Sequence, residues 1–182
     1  RKLLVDGAQL DASLDKTLPD TPPQARALPP AALLALRFAV EVDTLAIREA
    51  NVRYRERDAT TGRWGQLPFT HMQARFAHVS NTVDTRAAPV PLSGTFSGVL
   101  FDRAAFSGTY DAELGGSQGF TFTARVRELP CLQLDQATRP LLRMVVEDGQ
   151  LHQLDLRIVG DERRAKGTVA MRMSDLRVRV EP

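Results

Sequence analysis

Cysteine is nearly missing from this chain of 182 residues, where Cys131 stands alone. That excludes an internal disulfide framework and any multi-cysteine zinc site. Histidine is scarce as well: His71, His78 and His152 are the full set. Lys2, Lys16 and Lys166 are 3 of the 24 basic residues, so 24 − 3 = 21 are arginine. No apolar run approaches the roughly 18 residues of a bilayer-spanning helix; the best, Pro29 to Leu36, is short and closes at Arg37. An excess of one charge is lacking too. Lys and Arg total 24 against 22 Asp and Glu, a net +2, too balanced for a dedicated nucleic-acid binder. What remains is a globular composition, 43% apolar with 12 glycines, which excludes disorder, collagen and coiled coil. A chain this long buries roughly 70% of its unfolded surface, so its core needs neither disulfide nor metal.

The chain begins at Arg1 with no signal-like apolar stretch behind it. The expectation is a fragment or processed product whose parent's export signal or anchor lies outside it. Prolines divide the sequence unevenly. Pro19, Pro22, Pro23, Pro29 and Pro30 fall close together, a pattern that resists helix and central strand. Residues 16–31 therefore read as a linker or long loop, residues 1–15 as a leading strand segment around Lys2 to Val5, and residues 32–182 as one β-rich domain. Pro89 and Pro91 mark an internal break near 86–91.

The domain reads as strands. Phe38, Val40 and Val42 alternate with Ala39 and Glu41, and Val52 and Tyr54 alternate with Arg53, Arg55 and Arg57. The same period of two returns in Phe120 to Val126, Leu154 to Ile158 and Leu176 to Val180. Thr61-Gly62, Gly115-Gly116, Glu147-Asp148-Gly149 and Gly160-Asp161 supply turn chemistry between runs. Two short helices are expected, over Pro30 to Leu36 and over Leu132 to Thr138 with Pro140 closing it; neither is long enough for a βαβ unit. The fold class is mainly β. It is either an extended, curved antiparallel sheet with one or two short helices, or a closed β-sandwich.

No catalytic or metal-binding set emerges. His71 and His78 are seven residues apart, about 23 Å along a strand, and no zinc-protease spacing occurs, so they read as solvated or singly hydrogen-bonded. Gly116-Ser117-Gln118-Gly119 lacks the spacing of a serine-hydrolase elbow. Cys131 reads as a buried structural residue. Glu41 and Asp43 share a strand face, as carboxylates on a wet sheet face often do. The chain reads as non-enzymatic, without cofactor or metal; a pocket joining His152 to carboxylates would be needed to revive catalysis. Arginines form stripes: Arg53, Arg55 and Arg57, then Arg125 and Arg127, then Arg177 and Arg179. They read as a solvated outer face, with anionic headgroups or nucleic-acid backbone as the functional alternative. Glu56, Asp58 and Glu128 interrupt them, and Tyr54 points away from its flanking arginines, so nucleic acid is not expected as a partner. The other side of the strands is apolar, with few helices to cover it. Alternation nominates Val40, Val42, Val52, Tyr54, Phe120, Phe122, Leu154 and Leu156 as lining a groove, if the face is open, or a core, if it is sealed.

Two stretches resemble the AsmA-like family of bacterial envelope proteins, with their TamB/YhdP-like relatives. In residues 43–81 the resemblance rests on Ile47, Ala50, Val52, Tyr54, Gly65, Phe69 and Asn81; in residues 120–180 it rests on Gly149, Leu151, Gly167, Asp175 and Leu176. Met173 stands where the family pattern has an aromatic, and Asp135 where it has Asn. The resemblance implies an elongated β-groove that passes phospholipid acyl chains across the periplasm. It also implies a parent anchored in the envelope, with the membranes or outer-membrane assembly proteins as partners. The alternative is a secreted or surface β-sandwich module that binds a protein or a glycan through loops such as Ala59 to Gln66, which carries Trp64.

Overall fold

The computed structural model describes residues 1–18, 33–82, 90–114, 119–161 and 163–181. Most of the proline-rich segment, most of the 86–91 break and the Gly115-Gly116 turn lie outside them. Of the first expected helix, Leu33 and Leu34 are helical.

Nine strands form one sheet. They are β1 (Lys2–Asp6), β2 (Gln9–Asp15), β3 (Glu41–Arg57), β4 (Trp64–Ser80), β5 (Val90–Leu100), β6 (Ala104–Leu114), β7 (Phe120–Pro130), β8 (Met144–Gly160) and β9 (Ala165–Val180). From β3 to β9 the order follows the chain and each neighbour is antiparallel. The sheet is open, so the closed sandwich is excluded. The leading segment departs from the antiparallel expectation. Both β1 and β2 run parallel to β3, end to end along its outer edge, which the long connection between β2 and β3 permits.

Several expected boundaries move. Phe38 and Val40 precede β3 instead of opening it, because the Asn81 amide takes the place of ladder bonds. Its Oδ1 accepts the Val40 N–H at 2.7 Å, and its Nδ2 donates to the Phe38 carbonyl at 2.8 Å. Glu147-Asp148-Gly149 is not a turn but an irregularity inside the 17-residue β8. Gly149 sits there at φ +130°, so close to Leu176 of β9 that a Cβ would collide. Thr61-Gly62 and Gly160-Asp161 do turn the chain: Asp58 accepts the N–H groups of Thr60 and Thr61, and Asp161 those of Arg163 and Arg164. The second helix begins as a 3-10 turn at Cys131–Leu134 and continues as α1 (Asp135–Leu142), with Pro140 inside it. Pro140 forfeits one hydrogen bond near the helix end, and Arg143 in the left-handed region closes the helix instead.

Bulges keep the apolar residues of these long strands on one side. Glu49, His71, His78, Glu128 and Asp175 take positive φ within strands, and the register slips in the β3–β4, β4–β5 and β8–β9 ladders. The apolar phase accordingly jumps three residues instead of two, from Ile47 to Ala50, Phe69 to Met72, Val126 to Leu129 and Leu151 to Leu154. Helix α1 packs on β4 and β8, beyond the ends of the shorter β5, β6 and β7. Its Leu141 rests over Gly65, and Asp135 accepts the Val146 N–H at 3.1 Å. Under this end lies the core: Leu100, Phe101, Ala104, Phe106, Leu129 and Cys131, with Val146 and Leu151.

Aromatic rings roof the glycines on the same face. Phe76 lies over Gly94, Phe106 and Met72 over Gly98, and Phe96 over Gly108. A side chain at 108 meets both Phe96 and the Thr123 carbonyl. Gly108→Val is expected to lower the urea midpoint by an amount equal to roughly 1–3 kcal/mol. At Gly167 an added Cβ finds only ordinary contacts, 3.6 Å from Ile158, so Gly167→Ala is expected to be neutral or stabilising by up to about 1 kcal/mol. Equal losses from both would refute the roofing account.

Candidate functional site

The sheet has two chemically distinct faces, and the residues nominated from sequence fall mostly on one. Val52, Tyr54, Phe120, Phe122, Leu154 and Leu156 share the apolar face, in phase with Leu67, Phe69 and Val126 across the ladders. Val42 pairs with Val79 at the start of β3, beyond the positive-φ His78. Val40 lies before the strand altogether.

Burial varies along the apolar face. The α1 end is packed, and Leu92, Ala112 and Leu114 are buried toward the other end. Between them Phe96, Tyr110, Phe120, Phe122, Leu154 and Leu156 are half-buried. Phe96 stacks on Phe122 at 5.4 Å and Tyr110 on Phe120 at 6.2 Å. The face then runs out onto β9, where Val169 and Met171 are each 57% exposed and Val180 72%. The Tyr110 hydroxyl is buried on this face with no hydrogen-bond partner among the described residues, and burial pushes its pKa up.

The opposite face carries arginine, threonine and serine, and most of the arginine stripes are neutralised there. Arg53 pairs with Asp11 at 3.8 Å, Arg57 with Asp15 at 3.2 Å and Arg179 with Glu147 at 3.0 Å. Arg125 pairs with Asp155, and Arg177 with Asp148. Arg55 and Arg57 sit over the Trp64 ring, 5.6 and 5.8 Å from its centroid. The expected solvated, interrupted face is what these pairs make.

That face also holds a trough of about 900 Å³ lined by seven strands from β3 to β9. Its lining repeats as triplets, for example Ala46-Ile47-Arg48, Ser107-Gly108-Thr109 and Asp155-Leu156-Arg157. In each triplet the outer two side chains project to the polar face and the middle residue offers its backbone as floor. One wall runs through Arg75, Thr95, Thr109, Thr123 and Arg157, the other through Arg48, Gln73, Ser97, Ser107 and Arg125. Of the nominated residues only Leu156 borders it. Arg48, Arg75 and Arg157 escaped the sequence reading, because only the strand register shows that they meet at one height of the sheet.

His152 does reach a carboxylate. Its Nε2 lies 2.9 Å from the Ser174 hydroxyl, and its Nδ1 is 3.7 Å from Glu128. The second distance exceeds a hydrogen bond, and none of the three lines the trough. His71 bonds to Glu49 at 2.8 Å. Among the described residues no three His, Cys, Asp or Glu side chains are grouped to hold a metal. Cys131 is a free thiol, fully buried, and burial raises its pKa.

Comparison with known proteins gives no match: no family model, no curated protein and no solved structure is similar to the chain. The residues quoted above for the resemblance have structural roles of their own. Ile47, Ala50, Val52 and Tyr54 line up on one face across the Glu49 bulge, Gly65 seats α1, Gly149 admits Leu176 and Asn81 clasps the start of β3.

Replacing Tyr110 by Phe removes a buried hydroxyl that has no partner among the described residues, so the variant is expected to match or exceed the parent by up to about 1 kcal/mol in urea unfolding. A loss above that range would show that the hydroxyl is satisfied. Acid acts in the other direction. Hydrogen bonds from Arg177, the Thr61 N–H, Gln153 and the Arg163 N–H hold Asp148, Asp58, Asp155 and Asp161 respectively below the usual aspartate pKa. Folded pKa values below the unfolded ones stabilise above the unfolded pKa, and that stability is lost as pH falls through the folded values. The urea midpoint is expected to be level near neutrality and to fall below about pH 4; a midpoint that rises on acidification refutes this.

Proposed function

We propose that this chain is a non-enzymatic, periplasmic segment of an AsmA-like protein that binds phospholipid acyl chains along its apolar sheet face. In this reading it serves envelope lipid transport or outer-membrane biogenesis, and the parent chain supplies contact with the envelope membranes or assembly proteins. The observation that carries the proposal is the half-open apolar lane from Phe96 and Phe122 to the exposed Val169 and Met171 on the β9 edge. An apolar surface left open in this way marks a ligand or a partner. Stacked rings with an aliphatic border suit an extended hydrocarbon chain. No helix among the described residues is long and apolar enough to cross a membrane.

Native mass spectrometry of the purified chain, with organic extraction, is expected to find co-purified phospholipid. Fluorescent phosphatidylethanolamine is expected to bind the lipid-stripped protein. Met171→Asp places a charge in the lane at an exposed position outside the core, and should weaken that binding at least tenfold with the fold intact by circular dichroism. Ser97→Asp, on the opposite face, should leave it unchanged. An apo mass together with no uptake of the labelled lipid overturns the proposal, as does equal loss in both variants.

A further inference from the structure

We propose that the trough on the polar face is a binding site for an oligosaccharide carrying anionic groups at two separated positions. The site is independent of the acyl-chain reading, since the two faces are separated by the sheet itself. Two arginine pairs mark its ends: Arg48 with Arg75 on β3 and β4, and Arg125 with Arg157 on β7 and β8. From β4 to β7 is three strand spacings, about 14 Å. Between the pairs the walls are uncharged and hydroxyl-bearing, with Ser97, Ser107, Thr95 and Thr109 on the central strands. Each hydroxyl both donates and accepts, which matches the hydroxyls of a sugar.

The charge at the ends is available. Among the described residues Arg48, Arg75 and Arg157 make no ion pair with the protein, unlike the arginines of the stripes outside the trough that meet Asp11, Asp15, Glu147 and Asp148. The carboxylates nearby are Asp155, which pairs with Arg125, Asp6, opposite Arg48 across the β1 ladder, and Asp111, one step beyond Thr109 on the same face of β6. A guanidinium offers the planar fork that binds sulfate, phosphate or carboxylate through two hydrogen bonds. The spacing disfavours nucleic acid, whose evenly repeated phosphates would cross an uncharged centre. Base stacking has no platform either: Phe96 is the one aromatic residue in the lining, and its ring lies on the apolar face against Phe122.

The test is titration calorimetry of the whole chain at low salt with a heparin-derived hexasaccharide, its desulfated form, inorganic sulfate and a twelve-residue oligothymidine. The sulfated sugar is expected to bind and the desulfated one to bind at least tenfold more weakly. The double variant Arg75→Gln/Arg157→Gln should lower the affinity at least tenfold, while Arg163→Gln/Arg164→Gln, which removes the same charge at the β8–β9 turn, should not. Ser107→Gln fills the centre of the trough without changing charge and should also weaken binding; circular dichroism and urea midpoints check each fold. No binding of the sulfated sugar, equal loss in both arginine doubles, or no effect of Ser107→Gln overturns the site. Oligothymidine binding with the same dependence on Arg75 and Arg157 also overturns it, in favour of a nucleic-acid surface. Inorganic sulfate that binds as tightly as the hexasaccharide reduces it to an ion site and overturns the sugar.

Discussion

A 17-residue strand twists as it runs, and its side chains alternate strictly, so holding one apolar face along such a length requires a correction midway. Positive-φ residues at Glu49, His71, His78, Glu128 and Asp175, together with the register slips along β8, supply it. Apolar positions three apart thereby stay on the same side. Without that step the two halves of β3, β4 and β8 would present their apolar sets to opposite faces. The packed end under α1, the half-open lane on the same face and the hydroxyl trough on the other all rest on this shared phase.

The central strands solve a related problem by alternating size. Gly94, Gly98 and Gly108 leave room for Phe76, Phe106 and Phe96, so rings lie across neighbouring strands instead of standing upright. This packs the apolar layer partly against itself without a second sheet. It also accounts for the recurrent Phe-Ser-Gly and Ser-Gly-Thr strings of β5 and β6: Phe or Gly faces the apolar side, while Ser and Thr line the trough. One short pattern thus builds both faces. The open edge at β9 is guarded by Lys166, Arg172, Arg177 and Arg179, which discourage indiscriminate strand pairing.

Much of this was legible in the chain. Alternation in Phe120 to Val126 and Leu154 to Ile158 identified strands and the face they share, and the scarcity of helix pointed away from a parallel α/β sheet. The phase jumps were present as well, in Val126 to Leu129 and Leu151 to Leu154, but a jump of three reads as an interruption until a neighbouring strand shows the slip. Val40 was placed in a strand because alternation was extrapolated back past Glu41, where β3 begins.

The sequence by itself determined the mainly β character, the single apolar side of each strand and a chemistry carried by arginine and hydroxyls. Those are local properties, set by which residue follows which. Only the tertiary structure decided that one sheet stays open, that β1 and β2 join it in parallel, and that α1 covers one end. It also decided which arginines are quenched and which face the trough. Arg48, Arg75, Arg125 and Arg157 lie on four strands, and their convergence depends on the register of every ladder between them. Register is a sum of non-local choices, of hairpin length, bulge and packing, that no stretch of the chain contains alone.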